Sequence, residues 1–240
     1  MKIAILGDVH ANLEALQAVL RHADGQGVDA FVCVGDVVGY NANPVRCLEL
    51  LRERDCCMVR GNHDHYCAMP PGPDSMSDVA AAAIAWTRQQ LSEDQVRFLG
   101  RLPLHRECEG FSMVHNTLAM THAWDYVFGV AEAAQHFRRQ ERAVCFHGHT
   151  HVPVVFRKHG RVSLKLFQAI RVGRGTKYFV NVGSVGQPRD GDPRASYGIY
   201  DLDARLIRLY RLRYDIAAAQ DKIMDAGLPE WLAVRLTFGL

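Results

Sequence analysis

The sequence predicts an α/β fold in which two β-sheets pack face to face with helices outside them. Three observations carry that expectation. Strand-like apolar runs alternate with helical periodicities in the first part of the chain. Each of those runs ends in a Gly-containing polar loop, the arrangement of parallel strands with their loops on one edge. The later part changes to short, closely spaced strands, which implies mixed or antiparallel pairing. With 240 residues, 48% of them hydrophobic, the chain can bury a sizeable core, and a single domain over residues 1–240 fits the length. No linker, repeat or low-complexity tract divides it.

The apolar run 3–6 ends in Gly-Asp and predicts a buried strand, and Leu13, Leu16, Val19 and Leu20 give 12–23 helical spacing. Residues 30–34 repeat the strand and Gly-Asp ending, with a helix over 44–54 whose Pro44 suits a first turn. A third strand, 56–59, runs into Gly61-Asn62-His63-Asp64. Residues 68–78, rich in Pro, Gly and Ser, predict a loop bordering the site, before helices over 79–90 and 93–99. A hairpin is expected over 104–115 around Gly110, then a helix over 131–139 and a strand over 143–146 leading to Gly148-His149-Thr150-His151. Further strands are expected over 154–157, 161–166, 178–182, 197–201 and 206–212, and helices over 216–226 and 230–236.

Bulk properties exclude several classes. A net charge of +2 gives no global reason to expect a nucleic-acid or membrane surface. The seven cysteines are odd in number and lack CxxC or knuckle spacing, so neither a disulfide framework nor a structural zinc site is expected. No stretch reaches the roughly 18 apolar residues of a membrane helix, and the amino terminus does not read as a signal peptide, so a cytoplasmic protein is expected. Twelve histidines are the compositional oddity, because imidazole is both a metal ligand and a proton carrier.

The polar residues past the strand ends carry the chemistry. In Asp8-Val9-His10, residues two apart on an extended segment point the same way and can converge on one ion. Asp36, alone, reads equally as a turn or cap residue. Asn62 offers a neutral amide oxygen to a cation, His63 can handle a proton, and Asp64 can orient His63. His149 and His151 form another pair two apart. Taken singly, Asp8-Val9-His10 is more often a polar loop and Asp36 decides nothing, whereas the third and fourth motifs are more telling. Together they crowd one rim with carboxylates, amide and imidazoles lacking a cationic partner in sequence range, and a pair of divalent ions resolves that repulsion.

The series GDVH, GD, GNHD and GHTH, in this order, resembles the calcineurin-like metallophosphoesterase superfamily, and NVGSVGQPRDGDPRASY over 181–197 is similar to its small single-domain YfcE-type phosphodiesterase branch. The likeness covers nearly the whole chain. It implies a four-layer αββα sandwich of two mixed sheets flanked by helices, and a dinuclear Mn, Fe, Ni or Zn centre with Mn first. It further implies that Asp8, His10 and His151 hold one ion, Asn62 and His149 the other, and that Asp36 bridges them. His63, held by Asp64, would assist the leaving oxygen while a metal-bridging hydroxide attacks in line. The family's lone histidine between the third and last motifs has two candidates. His115 ends the hairpin strand 34 residues before His149 and is favoured over His122, although Asn116-Thr117 departs from the usual pattern.

Tyr40 and Asn41 are candidates for the pocket lining, and Arg189, in a Gly/Pro-rich loop with Ser184 and Gln187, for meeting a phosphate. For His65, His147 and the Trp124-Asp125-Tyr126 cluster, packed or surface roles are the simpler reading. The family's protein phosphatases carry Asp-Arg-Gly at the second motif, whereas here Asp36 is followed by Val37-Val38-Gly39. A small phosphodiester or nucleotidic phosphate ester is therefore the expected substrate. The competing readings are a phosphomonoesterase, a non-catalytic metal-stabilised binding module, and a polymer nuclease, the last disfavoured by the lack of a basic tract.

Overall fold

The computed structural model describes residues 1–69, 76–119 and 124–240. The chain begins with β1 (Lys2–Leu6), α1 (Leu13–Gly25), β2 (Ala30–Cys33), α2 (Pro44–Glu53) and β3 (Cys57–Met58). Next come α3 (Asn62–Ala68), α4 (Asp78–Gln90), α5 (Glu93–Arg101), the hairpin of β4 (His105–Cys108) and β5 (Phe111–Val114), α6 (Val130–Phe137) and β6 (Val144–His147). Strands β7 (Val154–His159), β8 (Arg161–Lys165), β9 (Ala169–Arg171), β10 (Lys177–Asn181), β11 (Ala195–Asp201) and β12 (Leu206–Leu212) precede α7 (Ile216–Asp225) and α8 (Glu230–Phe238).

The strands form two six-stranded mixed sheets, ordered β3-β2-β1-β11-β12-β9 and β4-β5-β6-β10-β7-β8. Strands β1, β2 and β3 run parallel, as do β5, β6 and β10, so each sheet contributes a set of carboxyl ends carrying polar loops. Alternation within the strands builds the layers. Ile3, Ile5 and Val32 meet Phe111, Met113 and Phe146 between the sheets. Their neighbours Ala4, Leu6 and Cys33 face the other way, toward Leu16 and Val19 of α1 and Leu48 and Leu51 of α2. On the second sheet, Cys145, Phe156 and Phe179 receive Ala133 and Phe137 of α6. The result is the expected αββα sandwich, each fully buried large aliphatic or aromatic side chain contributing about 1.5–3 kcal/mol.

Local signals set the helix starts. Asn12 Oδ1 accepts from Ala15 N at 3.1 Å at the head of α1, and Pro44 opens α2. Ser92 and Gln95 exchange side-chain to backbone hydrogen bonds of 3.2 and 3.0 Å at the head of α5. Two elements differ from the sequence reading. The third motif begins a helix, α3, and β9 adds three residues to the edge of the first sheet, where Ile170 is its one buried side chain.

Candidate metal centre

Each motif lies just past the end of a parallel strand: Asp8 and His10 after β1, Asp36 after β2, Asn62 to Asp64 after β3, His115 after β5, His149 and His151 after β6. The backbone there enters the left-handed region, with φ of 52° at Asp8, 47° at His10, 53° at Asp36, 70° at His149 and 60° at His151. Such conformations cost of order 1 kcal/mol or more each and persist where surrounding bonds over-determine them. Those bonds are present. Asp8 N and His10 N donate to Gly35 O and Asp36 O at 3.0 and 2.9 Å, and Ser184 Oγ and Asn41 Nδ2 donate to Asp8 O and His10 O at 2.7 Å each. Two glycines make the approach possible: a Cβ at Gly148 would stand 2.5 Å from Asp8 Oδ2, and one at Gly61 2.1 Å from Asp36 Oδ1.

The side chains converge as two buried groups. His10 Nε2 lies 3.1 Å from His151 Nε2 and 3.6 Å from Asp36 Oδ2, and His151 Nε2 lies 3.5 Å from Asp8 Oδ1. On the other side, His115 Nε2 lies 3.3 Å from Asp36 Oδ2, 3.2 Å from His149 Nδ1 and 3.1 Å from Asn62 Oδ1. The set Asp8, His10, Asp36 and His151 and the set Asp36, His115 and His149 each bring their donor atoms within 4.8 Å of one another. Asp36 belongs to both.

The outer nitrogen of each ring is tied to a backbone carbonyl: His10 Nδ1 to Val38 O at 3.2 Å, His151 Nδ1 to Gln187 O at 2.5 Å, His115 Nδ1 to Val34 O at 2.8 Å, His149 Nε2 to Trp124 O at 2.8 Å. A carbonyl only accepts, so these nitrogens carry the protons and the inner nitrogens of neutral rings present lone pairs. Burial holds His10 and His151 far below the ordinary imidazole range and His149 at about 3, so these three are neutral. His115 behaves oppositely: burial disfavours its cation, but the charge and hydrogen bond of Asp36 outweigh burial and raise it to about 9. Burial likewise pushes against ionised Asp36, yet the imidazoles of His115 and His63 hold it well below the carboxylate range. Asp8, pushed up by burial to about 7, keeps Oδ2 buried with no hydrogen-bond partner among the described residues. Facing lone pairs, an orphaned carboxylate oxygen and a proton captured beside Asp36 all fit sites for divalent cations.

Asp64 does not hold His63, contrary to the sequence reading. Its Oδ2 accepts from Asp36 N at 2.8 Å and Gly61 N at 3.0 Å, and its Oδ1 from Val37 N at 2.9 Å and Val38 N at 3.3 Å. The carboxylate is committed to backbone and straps the second motif to the third. His63 N donates to Asp36 Oδ1 at 2.8 Å, and its ring packs 4.2 Å from that of Tyr40. Its Nδ1 is buried and unpartnered among the described residues, and burial lowers its pKa to about 4.

A cleft of ≈ 290 Å³ opens over these groups, lined among others by Tyr40, Asn62, His63, Trp124, Tyr126 and His149. Arg189 Nη2 reaches Tyr40 OH at 3.5 Å and Gln187 Oε1 at 3.0 Å. His147 stacks 3.7 Å from Phe179 in the helix-side core, while His65 sits against the Trp124 ring at 5.7 Å. Ser184 and Gln187 act on the motif backbone and on His151, as the bonds above describe. His122 lies outside the described residues. The sequence reading assigned no role to Asn181, whose Nδ2 donates to Gly148 O at 2.8 Å and Thr150 Oγ1 at 3.0 Å, and preferred a packed or surface role for Tyr126, which is stacked 4.1 Å from His149 and 45% exposed. The local signals for Asn181 were its place at a strand end and at the head of the 181–197 stretch.

A model of the calcineurin-like phosphoesterase superfamily domain matches residues 1–205. An uncharacterized protein of Methanocaldococcus jannaschii is 37% identical over 243 residues, spanning 99% of this chain and 98% of that one. Among solved structures, a metallophosphoesterase from Sphaerobacter thermophilus is 39% identical with a TM-score of 0.89, covering 100% of this chain and 99% of that one. A hypothetical protein from Pyrococcus horikoshii OT3 shares the fold, with a TM-score of 0.81 at 18% identity, 100% of this chain covered and 98% of that one.

Proposed function

The chain belongs to the calcineurin-like phosphoesterase superfamily, and on that premise we propose that it is a phosphodiesterase acting on small, nucleotidic esters. The single observation that carries the reading is Asp36, one carboxylate shared by two buried clusters of metal-binding groups. Asp8, His10, Asp36 and His151 would hold one divalent ion, and Asp36, Asn62, His115 and His149 a second. This oxygen and imidazole set suits several first-row ions, of which manganese is our proposed occupant. Bound there, such a pair supplies Lewis acidity toward phosphoryl oxygens and activates water.

The chain's own residues do the rest. Asn62 and Arg189 orient the phosphoryl group, Tyr40 forms the floor beneath it, and His63, beside Asp36 and at the cleft surface, donates to the departing oxygen. Asp64 is a positioning residue that fixes the 36–38 and 61 backbone. Two features favour diesters. No arginine follows Asp36 to grip a further monoester charge, and the aromatic lining from Trp124 and Tyr126 suits an organic group on either side of phosphorus. No helix among the described residues is long and apolar enough to cross a membrane, and we propose the cytoplasm as the compartment. Bis(p-nitrophenyl) phosphate turned over with added Mn, with His63→Ala retaining metal but losing turnover, is the expected result. Cleavage of p-nitrophenyl phosphate alone would sink the diester preference, and undiminished turnover by His63→Ala would remove that residue from the reaction.

A further inference from the structure

Away from the metal centre, the two sheets stack edge over edge and bring two thiols to one margin of the sandwich. In the first sheet Cys57 pairs with Val32, and in the second Cys108 pairs with Phe111. Val32 and Phe111 belong to the core between the sheets, and both cysteines pack against that same core. Their strands, β3 and β4, are edge strands, so the two thiols lie on the facing surfaces where the interlayer opens to the outside. One bond sets the register between the sheets there. Arg106, on the same face of β4 as Cys108, donates from Nε to Met58 O at 3.3 Å, the carbonyl next to Cys57.

Both thiols are free and only partly buried, whereas Cys33, Cys47, Cys56, Cys67 and Cys145 are buried. A groove of ≈ 460 Å³, lined among others by Cys57, Phe98, Leu102 and Arg106, opens on the first thiol. The hydrogen bond from Cys108, with the guanidinium of Arg106, holds Cys57 at about 6, below the ordinary thiol range, while Cys108, the donor, is pushed up. Burial pushes the other five thiols up as well. One thiolate open to small solutes beside an arginine, with a second thiol within reach, is the arrangement of a peroxide-sensitive cysteine and its resolving partner.

We propose that Cys57 and Cys108 are an oxidation site at which hydrogen peroxide converts two thiols into one disulfide joining the margins of the two sheets. Cys57 attacks one peroxide oxygen: S–O forms, O–O breaks, and the departing hydroxide takes up a proton and leaves as water, the sulfur losing the two electrons that the peroxide gains. Cys108 then attacks the sulfenic sulfur: S–S forms, S–O breaks, and the hydroxyl leaves with the Cys108 proton as a second water. The test exposes the reduced 240-residue protein to stoichiometric hydrogen peroxide, alkylates the remaining thiols after unfolding, and maps peptides without reductant, using fragmentation that separates Cys56 from Cys57. The expected result is the loss of two hydrogens per chain, five of the seven thiols alkylated and a Cys57–Cys108 link. Cys108→Ser should instead accumulate a dimedone-reactive sulfenic acid on Cys57, about 10-fold or more faster than on any other cysteine, and Cys57→Ser should keep its remaining thiols free. Seven free thiols after oxidation, a link through Cys56 or between chains, or dimedone labelling at Cys108 in place of Cys57 overturns the proposal. The mass and peptide map of the wild type decide it without any variant, and none of these readouts depends on turnover.

Discussion

Gly61→Ala isolates the shared carboxylate with one methyl group. The backbone at Gly61, φ −88° and ψ 177°, is open to any L residue, so no conformational strain accompanies the change. The added Cβ would stand 2.1 Å from Asp36 Oδ1, 2.5 Å from Asp36 N and 2.7 Å from Asp36 Cγ. A carbon and an oxygen pack comfortably at about 3.5 Å, so more than about 1 Å of separation must be found. Asp36 cannot easily retreat, because Oδ1 accepts from His63 N at 2.8 Å and its own N donates to Asp64 at 2.8 Å. Overpacking of this kind costs about 1–3 kcal/mol. Metal coordination tolerates errors of only about 0.2 Å, so a displaced Asp36 should leave one ion weakly held. A misplacement near 1 Å also predicts a loss on the order of 100-fold in turnover. The assay is Mn content by elemental analysis, with bis(p-nitrophenyl) phosphate turnover and a urea melt on the same preparation. Gly25→Ala, at the end of α1 with nothing within 4 Å of the new Cβ, is the control and should be neutral or stabilising by up to about 1 kcal/mol. If Gly61→Ala binds two Mn per chain and cleaves at the wild-type rate, the shared role of Asp36 is wrong.

Other expectations follow from the same geometry. Asp64→Asn turns amide hydrogens toward backbone donors and should lower stability by about 2–4 kcal/mol and reduce metal content, whereas His63→Ala should melt close to wild type; equal melting of Asp64→Asn and wild type would refute the strap. His136, stacked 3.5 Å from Phe179 and lowered by burial to about 3, gives a pH-dependent stability: an unfolded imidazole near 6.5 binds a proton that the folded one refuses, so stability falls with acidification below about 6.5 and levels off near 3. Between pH 7 and 5 this amounts to about 2 kcal/mol, and His136→Phe should show a urea-derived loss smaller by that amount, an identical loss counting against it. Removal of metal by a chelator should lower the melting temperature, with Mn restoring it, because the facing imidazoles and Asp8 Oδ2 are left without a cation; a melt indifferent to metal would contradict the centre.

The strands, helices and motif positions were legible because their signals are local. Apolar runs ending in Gly-Asp and the DxH and HxH spacings need only neighbouring residues to be read. His115 was also legible, since it terminates a strand whose hairpin partner is local. The partners of a side chain were not. Asp64 follows His63 directly, but the helix that starts at Asn62 turns its carboxylate to the 36–38 backbone, a tertiary fact. The edge strand β9 escaped notice because a single inward residue, Ile170, leaves no alternation to detect.

The strap formed by Asp64 has a consequence for how the rim divides its labour. Its four contacts are all to peptide N–H groups, while Asn181 and Ser184 fasten the other loops by donating to the carbonyls of Gly148 and Asp8. These fastenings engage backbone groups and leave the side-chain donors of Asp8, Asp36 and the four imidazoles turned toward one another, so the framework of the rim and its ion-holding atoms are built from separate sets of groups.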